Sequence, residues 1–164
     1  YALKFLSDGR RPWFSYFGSN KMATIDPDTF ELKEFVLPDA KTRIRRMDVT
    51  SDDMIWFGDW SNGKLVRFDP KTGATKEYQG PGGQLAQPYG MVVINDIIWY
   101  SESNLRPNTL VRFDPKTEKF QSWEMPLGGG IVRHMVKTRD GNIAMALSGV
   151  SAVGLVEILP SNSN

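Results

Sequence analysis

Met54-Ile55-Trp56-Phe57-Gly58-Asp59-Trp60, followed by Lys64-Leu65-Val66-Arg67-Phe68-Asp69-Pro70, decides the fold because both halves recur. Trp56-Phe57 is echoed by Trp13-Phe14 and Trp99-Tyr100, each 43 positions away. Phe68-Asp69-Pro70 is echoed by Ile25-Asp26-Pro27 and Phe113-Asp114-Pro115. A weaker fourth copy is Asn142-Ile143-Ala144-Met145, then Gly154-Leu155-Val156-Glu157-Ile158. A fixed period of about 20 to 50 residues marks a repeat architecture.

Within a repeat, short β-prone runs alternate with turn residues, and no helical periodicity is sustained. In the second repeat the runs are Arg45–Val49, Met54–Gly58, Lys64–Phe68 and Thr75–Tyr78. Asn62-Gly63 accepts positive φ cheaply and supplies a tight turn. In Asp69-Pro70-Lys71-Thr72-Gly73 the Asp caps the turn, Pro fixes φ and Gly takes the strained position. The third repeat predicts strands at Tyr89–Ile94, Ile97–Ser101, Thr109–Phe113 and Lys119–Trp123. The first predicts Tyr1–Leu6, Trp13–Tyr16, Lys21–Ile25 and Glu31–Val36. The last offers only Arg133–Val136, Ile143–Leu147 and Gly154–Ile158.

A repeat of this length with four antiparallel strands is the signature of a β-propeller blade. A β-sandwich also has short strands and frequent turns, but it does not repeat one motif at constant spacing. The expectation is therefore an all-β single domain over 1–160, with blades at about 1–38, 43–80, 87–126 and 131–158 and a disordered tail at 161–164. Three arrangements fit three full blades and a three-stranded fourth: a small ring with one incomplete blade, a half-ring completed by a second copy, or the C-terminal part of a longer propeller. The start at Tyr1, within a first strand, favours the last. Open blade edges would be pairing surfaces, so a homodimer is a candidate partner.

Composition narrows the function. Twenty Lys and Arg against nineteen Asp and Glu leave a net charge of +1, which makes no electrostatic case for nucleic acid or an anionic membrane. The absence of cysteine excludes disulfides, thiolate catalysis and thiolate-bound metals, and fits a cytoplasmic, periplasmic or secreted setting equally. The one histidine cannot serve a Ser-His-Asp triad, for which no nucleophile elbow is present.

The runs Pro88-Tyr89-Gly90-Met91, Ile98-Trp99-Tyr100-Ser101-Glu102 and Leu110-Val111-Arg112-Phe113-Asp114-Pro115 resemble the repeated motif of the streptogramin B (virginiamycin B) lyase family. The likeness covers roughly residues 1–158. It implies a blade of that type, in a family whose members are typically seven-bladed. It also implies a lyase that opens a cyclic depsipeptide at its ester by elimination, with a histidine base and carboxylates that help hold Mg²⁺. The family's histidine slot is filled here by Tyr89, and in the other repeats by Tyr1, Arg45 and Arg133. His134 lies one residue further on, where strand alternation would turn it to the other face.

Superposing the repeats places Tyr1, Arg45, Tyr89 and Arg133 at the starts of the innermost strands, ringing the mouth of the central channel. Tyr16, Asp59 and Glu102 follow the second strands and are expected near the same end. An Arg pair beside Tyr hydroxyls suits a carboxylate or another anionic, partly aromatic small molecule; equally, Arg45 and Arg133 could pair with Asp59 and Glu102. Trp60 and Arg106, on loops after second strands, are further ligand contacts, since the repeat does not demand them. Under the family resemblance His134 and Glu102 are the catalytic candidates, and Glu102 and Asp59 the Mg²⁺ ligands. Trp13, Trp56 and Trp99 read as blade-to-blade packing. Three functions follow: a lyase or lactone-active enzyme, a non-catalytic binding propeller for a small molecule or protein, and an assembly role through open edges.

Overall fold

A computed structural model describes residues 1–159, and the tail expected at 161–164 lies outside them. The chain forms four antiparallel sheets, each a meander in sequence order. Blade 1 comprises β1 (Leu3–Phe5), β2 (Pro12–Tyr16), β3 (Lys21–Ile25) and β4 (Leu32–Val36). Blade 2 comprises β5 (Ile44–Val49), β6 (Ile55–Asp59), β7 (Lys64–Phe68) and β8 (Thr75–Gln79). Blade 3 comprises β9 (Pro88–Ile94), β10 (Ile97–Glu102), β11 (Thr109–Asp114) and β12 (Lys119–Glu124). Blade 4 has three strands, β13 (Val132–Lys137), β14 (Ile143–Leu147) and β15 (Ala152–Val156). The first strands β1, β5, β9 and β13 neighbour one another in that order and line the centre. No helix among the described residues is long and apolar enough to cross a membrane.

Most strand bounds fall within a residue of the sequence expectation, and two strands start two residues away from it. β1 begins at Leu3, because Tyr1 and Ala2 together face the single residue Ser15. β15 begins at Ala152, two residues early, because a single 3₁₀ turn at Ser148–Val150 closes the hairpin.

The turn chemistry is as the residues dictate. Asp69 accepts the Lys71 N–H at 2.8 Å and the Thr72 hydroxyl at 2.9 Å, while Gly73 takes φ +77°. Asp26 and Asp114 repeat the motif by accepting the Asp28 and Lys116 N–H groups, each at 2.9 Å. A second device joins blades at the opposite end of the inner strands. Asp53 accepts the Ser7 N–H and hydroxyl at 2.8 and 2.7 Å, and Asp96 accepts both from Ser51 at 2.7 Å.

Packing between blades is aromatic. Trp13 meets Phe35 of its own blade and Phe68 of the next, with ring centroids 5.5 and 5.8 Å away. Trp56 meets Tyr78 and Phe113 in the same way, at 5.8 and 5.6 Å. In the third interval Trp99 stacks on Trp123 at 5.9 Å, and Val156 stands where blades 2 and 3 carry Phe68 and Phe113. A cavity of about 980 Å³ lies beside Trp99, Trp123 and Val156. At the ends of the arc Leu3 and Phe5 on blade 1, and Val153 and Leu155 on blade 4, are exposed.

Candidate functional site at the channel mouth

The innermost strands share a fault in their ladders at one position. Ile44 pairs with Asp59 and Met47 with Phe57, so Arg45 and Arg46 together oppose only Gly58. Tyr89 and Gly90 oppose Ser101 in blade 3, and Arg133 and His134 oppose Ala146 in blade 4. A two-against-one bulge interrupts strand alternation and re-aims side chains. That is why His134 stays at the mouth, contrary to its expected rotation to the other face. Its Nε2 accepts a hydrogen bond from Nη2 of Arg46, at 3.2 Å across the channel. Gly90 is required by close approach, since a Cβ there would lie 2.9 Å from the Val132 carbonyl oxygen. The serine opposite the bulge satisfies a freed N–H: Gly90 N donates to Ser101 Oγ at 2.9 Å and Ala2 N to Ser15 Oγ at 3.2 Å.

Arg45 is the centre of the mouth. Its guanidinium carbon lies 4.0 Å from the Phe17 ring centroid, 4.7 Å from Tyr89, 5.1 Å from Trp60 and 5.5 Å from Tyr1. The Tyr1 and Tyr89 hydroxyls are hydrogen-bonded to each other, and Nη1 of Arg45 donates to Tyr1 at 3.3 Å. Burial pushes the Tyr89 phenol up, as does its bond to Tyr1. Burial opposes ionisation of Tyr1 too, but the Tyr89 hydroxyl and the two arginines outweigh it and hold that phenol below the ordinary range. The Nε of Arg45 is buried without a partner.

Among the described residues Arg45, Arg46 and Arg133 make no ion pair. Asp48, on the same strand as Arg45, pairs with Lys4 at 2.8 Å and accepts the Val93 N–H at 2.8 Å.

Asp59 and Glu102 sit elsewhere. Asp59 is fully buried and accepts from Thr42 Oγ1, Arg43 N, Ser61 N and Asn62 Nδ2 at 2.9, 3.0, 3.2 and 2.6 Å. Glu102 is equally buried and accepts Gly82 N at 3.0 Å and Thr109 Oγ1 at 2.7 Å. Each carboxylate therefore fastens the linker that enters its blade. Burial raises the Glu102 carboxyl above the usual range. These residues do not fit Mg²⁺: they lie in different blades, their oxygens face protein N–H and O–H donors, and among the described residues no three carboxylate or imidazole groups converge.

The other candidates divide. Trp60 belongs to the cage, edge-on to Phe17 with centroids 5.9 Å apart. Arg133 is exposed at the rim, and its carbonyl accepts from Nε of Arg46 at 3.1 Å. Tyr16 lies outside the cluster, packed on Phe14 with its phenol beside Glu34. Arg106 is exposed and bonds its neighbour's carbonyl, Leu105 O, at 2.8 Å. Sequence reading missed Phe17 and Arg46. Phe17 shares the repeat position of Trp60, and Arg46 that of His134, so superposition of the repeats held both signals.

Fold and mouth together define a β-propeller with a cationic, aromatic-walled channel entrance. No family model matches the sequence, and no curated protein matches it. Among solved structures, a catalytically inactive virginiamycin B lyase from Staphylococcus aureus with quinupristin superposes with a TM-score of 0.84 at 24% identity, over 95% of this chain and 51% of that one. A streptogramin B lyase gives 0.79 at 18% identity, over 99% and 56%, and hydrazine synthase from Kuenenia stuttgartiensis gives 0.79 at 16%, over 95% and 45%. The fold is that of the virginiamycin B lyase-like β-propellers, and the chain spans about half the length of these structures.

Proposed function

We propose that the channel mouth binds a small anionic ligand with a flat, apolar body. The observation that carries this reading is Arg45: a guanidinium caged by Tyr1, Phe17, Trp60 and Tyr89, with Arg46 and Arg133 nearby and, among the described residues, no carboxylate paired to any of them. A half-buried positive charge without a counter-charge leaves room for an anion, and a bound anion supplies the missing partner. The aromatic faces offer area for stacking at low entropic cost. Benzoate and its neutral isostere benzamide test the reading, with calorimetric titration as readout. Benzoate should bind saturably and benzamide at least tenfold more weakly; equal binding would sink the anionic ligand class.

A second reading, a lyase or lactone-opening enzyme, is favoured by one observation. His134 stands at the mouth, where its imidazole would serve as a base towards a bound ester once Nε2 is released from Arg46. The similarity to the lyase crystallised with quinupristin motivates the substrate. Ring-opening of quinupristin, followed by mass spectrometry for a product of unchanged mass, separates the readings: elimination conserves mass, hydrolysis adds water, and binding alone changes nothing. Assembly through the exposed edge of β15 is a further role, for which Val153 and Leu155 speak, and a homodimer would appear as twice the chain mass in light scattering.

A further inference from the structure

Arg46 crosses the channel and uses a particular pair of its donors. Nε reaches Arg133 O at 3.1 Å, Nη2 reaches His134 Nε2 at 3.2 Å, and the guanidinium carbon lies 5.1 Å from the Tyr1 ring centroid. Nε and Nη2 are the parallel donors of the arginine side-on fork, whose spacing matches the two oxygens of a carboxylate. Here that fork is held by two neutral acceptors, a carbonyl and an imidazole nitrogen. The nitrogen must be unprotonated, since arginine only donates. A carboxylate presents both acceptors on one anion and meets the fork bidentately, adding an opposite charge that the carbonyl and the imidazole lack. The equivalent positions in blades 1 and 3 are Ala2 and Gly90, neither of which carries a polar side chain to compete for Arg46. The carboxylate on the same strand, Asp48, is bound to Lys4 and Val93 N and does not compete.

We propose that Arg46 is the carboxylate-binding residue of the mouth, and that a ligand's carboxylate takes its fork from His134 and uncovers Nε2 of the chain's only histidine. The assignment rests on the anion-binding reading and adds to it a ligand geometry, one terminal carboxylate joined to a planar body. It also adds a consequence: the imidazole acceptor becomes free only when a carboxylate ligand is present.

A single histidine makes the test direct. In ¹⁵N-labelled protein the His134 Nε2 resonance should move from its arginine-bonded position when benzoate is added, and stay put with benzamide. Arg46→Met should show the released resonance without any ligand. Arg46→Lys keeps the charge but lacks the fork, and should bind benzoate roughly tenfold more weakly. His134→Ala removes the competing acceptor from an exposed position, where the fold is not at risk, and should tighten benzoate several-fold. Benzoate binding that leaves the imidazole unmoved, or that Arg46→Lys leaves unchanged, would overturn the assignment while the anion-binding reading stands. Failure of the unsubstituted protein to bind benzoate would overturn both.

Discussion

The guanidinium carbon of Arg45 rests 4.0 Å from the centre of the Phe17 ring, and its Nε is sealed from solvent without a partner. A cation so placed is held by ring faces instead of carboxylates. The pair should therefore be energetically coupled. In a double-mutant cycle of Phe17→Ala and Arg45→Met, a coupling of about 1 kcal/mol is expected from chemical denaturation. Zero coupling would show that the ring and the cation merely coexist. Phe17→Ala alone should weaken benzoate binding several-fold, because the cage that orients Arg45 loses a wall.

Asp59 gives the largest effect on stability. Its carboxylate satisfies two backbone N–H groups, one hydroxyl and one amide, all enclosed where the linker enters blade 2. Asp59→Ala leaves four donors without their acceptor and should cost about 3 kcal/mol or more, measured by urea unfolding. Asp59→Asn retains one acceptor oxygen and should recover part of that loss. A mutant as stable as the parent would contradict the buried geometry.

Glu102 carries a pH signature of defined sign. Burial raises its carboxyl above the unfolded value, so the folded state binds the proton more tightly than the unfolded chain does. Its contribution to stability is fully present below the unfolded pKa and lost as pH rises through the folded one. Glu102→Gln should therefore gain on the parent as pH is raised from acid towards neutral, and the gap in melting temperature should close again in acid. The oxygens of Glu102 are already engaged by Gly82 and Thr109, so Mg²⁺ should leave the melting temperature of the parent unchanged. A Mg²⁺-dependent rise that Glu102→Gln abolishes would reinstate Glu102 as a metal ligand.

Tyr100 offers a test of the opposite kind. Its side chain is fully buried and its hydroxyl has no hydrogen-bond partner, with Glu102 close enough to push the phenol further up after burial has done so. Removing an unsatisfied buried hydroxyl should help. Tyr100→Phe is expected to stabilise the protein by about 1 kcal/mol. A loss of similar size would mean that the hydroxyl is bonded, most simply to a buried water shared with Glu102.

What the sequence disclosed follows from what repeats. Trp13, Trp56 and Trp99 at fixed spacing gave the blades, because a packing aromatic must recur wherever one blade meets the next. The Asp-Pro turns gave strand ends for a similar local reason. The mouth was only half legible. Arg45, Tyr1 and Tyr89 were placed there by superposing strand starts, but a perfect alternation of side chains sent His134 away and hid Arg46. Bulges are invisible to a period of two, since their signal is one extra residue and not a residue type. Asp59 and Glu102 were drawn to the mouth by position alone. That position also faces the incoming linker, whose bare N–H groups at Arg43 and Gly82 claimed the carboxylates.

The bulges have a consequence for how such a ring diversifies. Each adds one residue, so that a dipeptide, 45–46, 89–90 or 133–134, faces a single partner before the ladder resumes at Met47, Met91 and the Met135–Met145 pair. Positions 45, 46, 89, 133 and 134 act as a cassette while the strands around them keep their partners; Gly90 is excluded, because a Cβ there would meet the Val132 carbonyl. Recognition can thus be rewritten at a few positions that contact one another across blades, with little exchange between what the mouth selects and what holds the sheets together. A combinatorial library confined to these positions would sample ligand preference on a scaffold whose cohesion resides elsewhere.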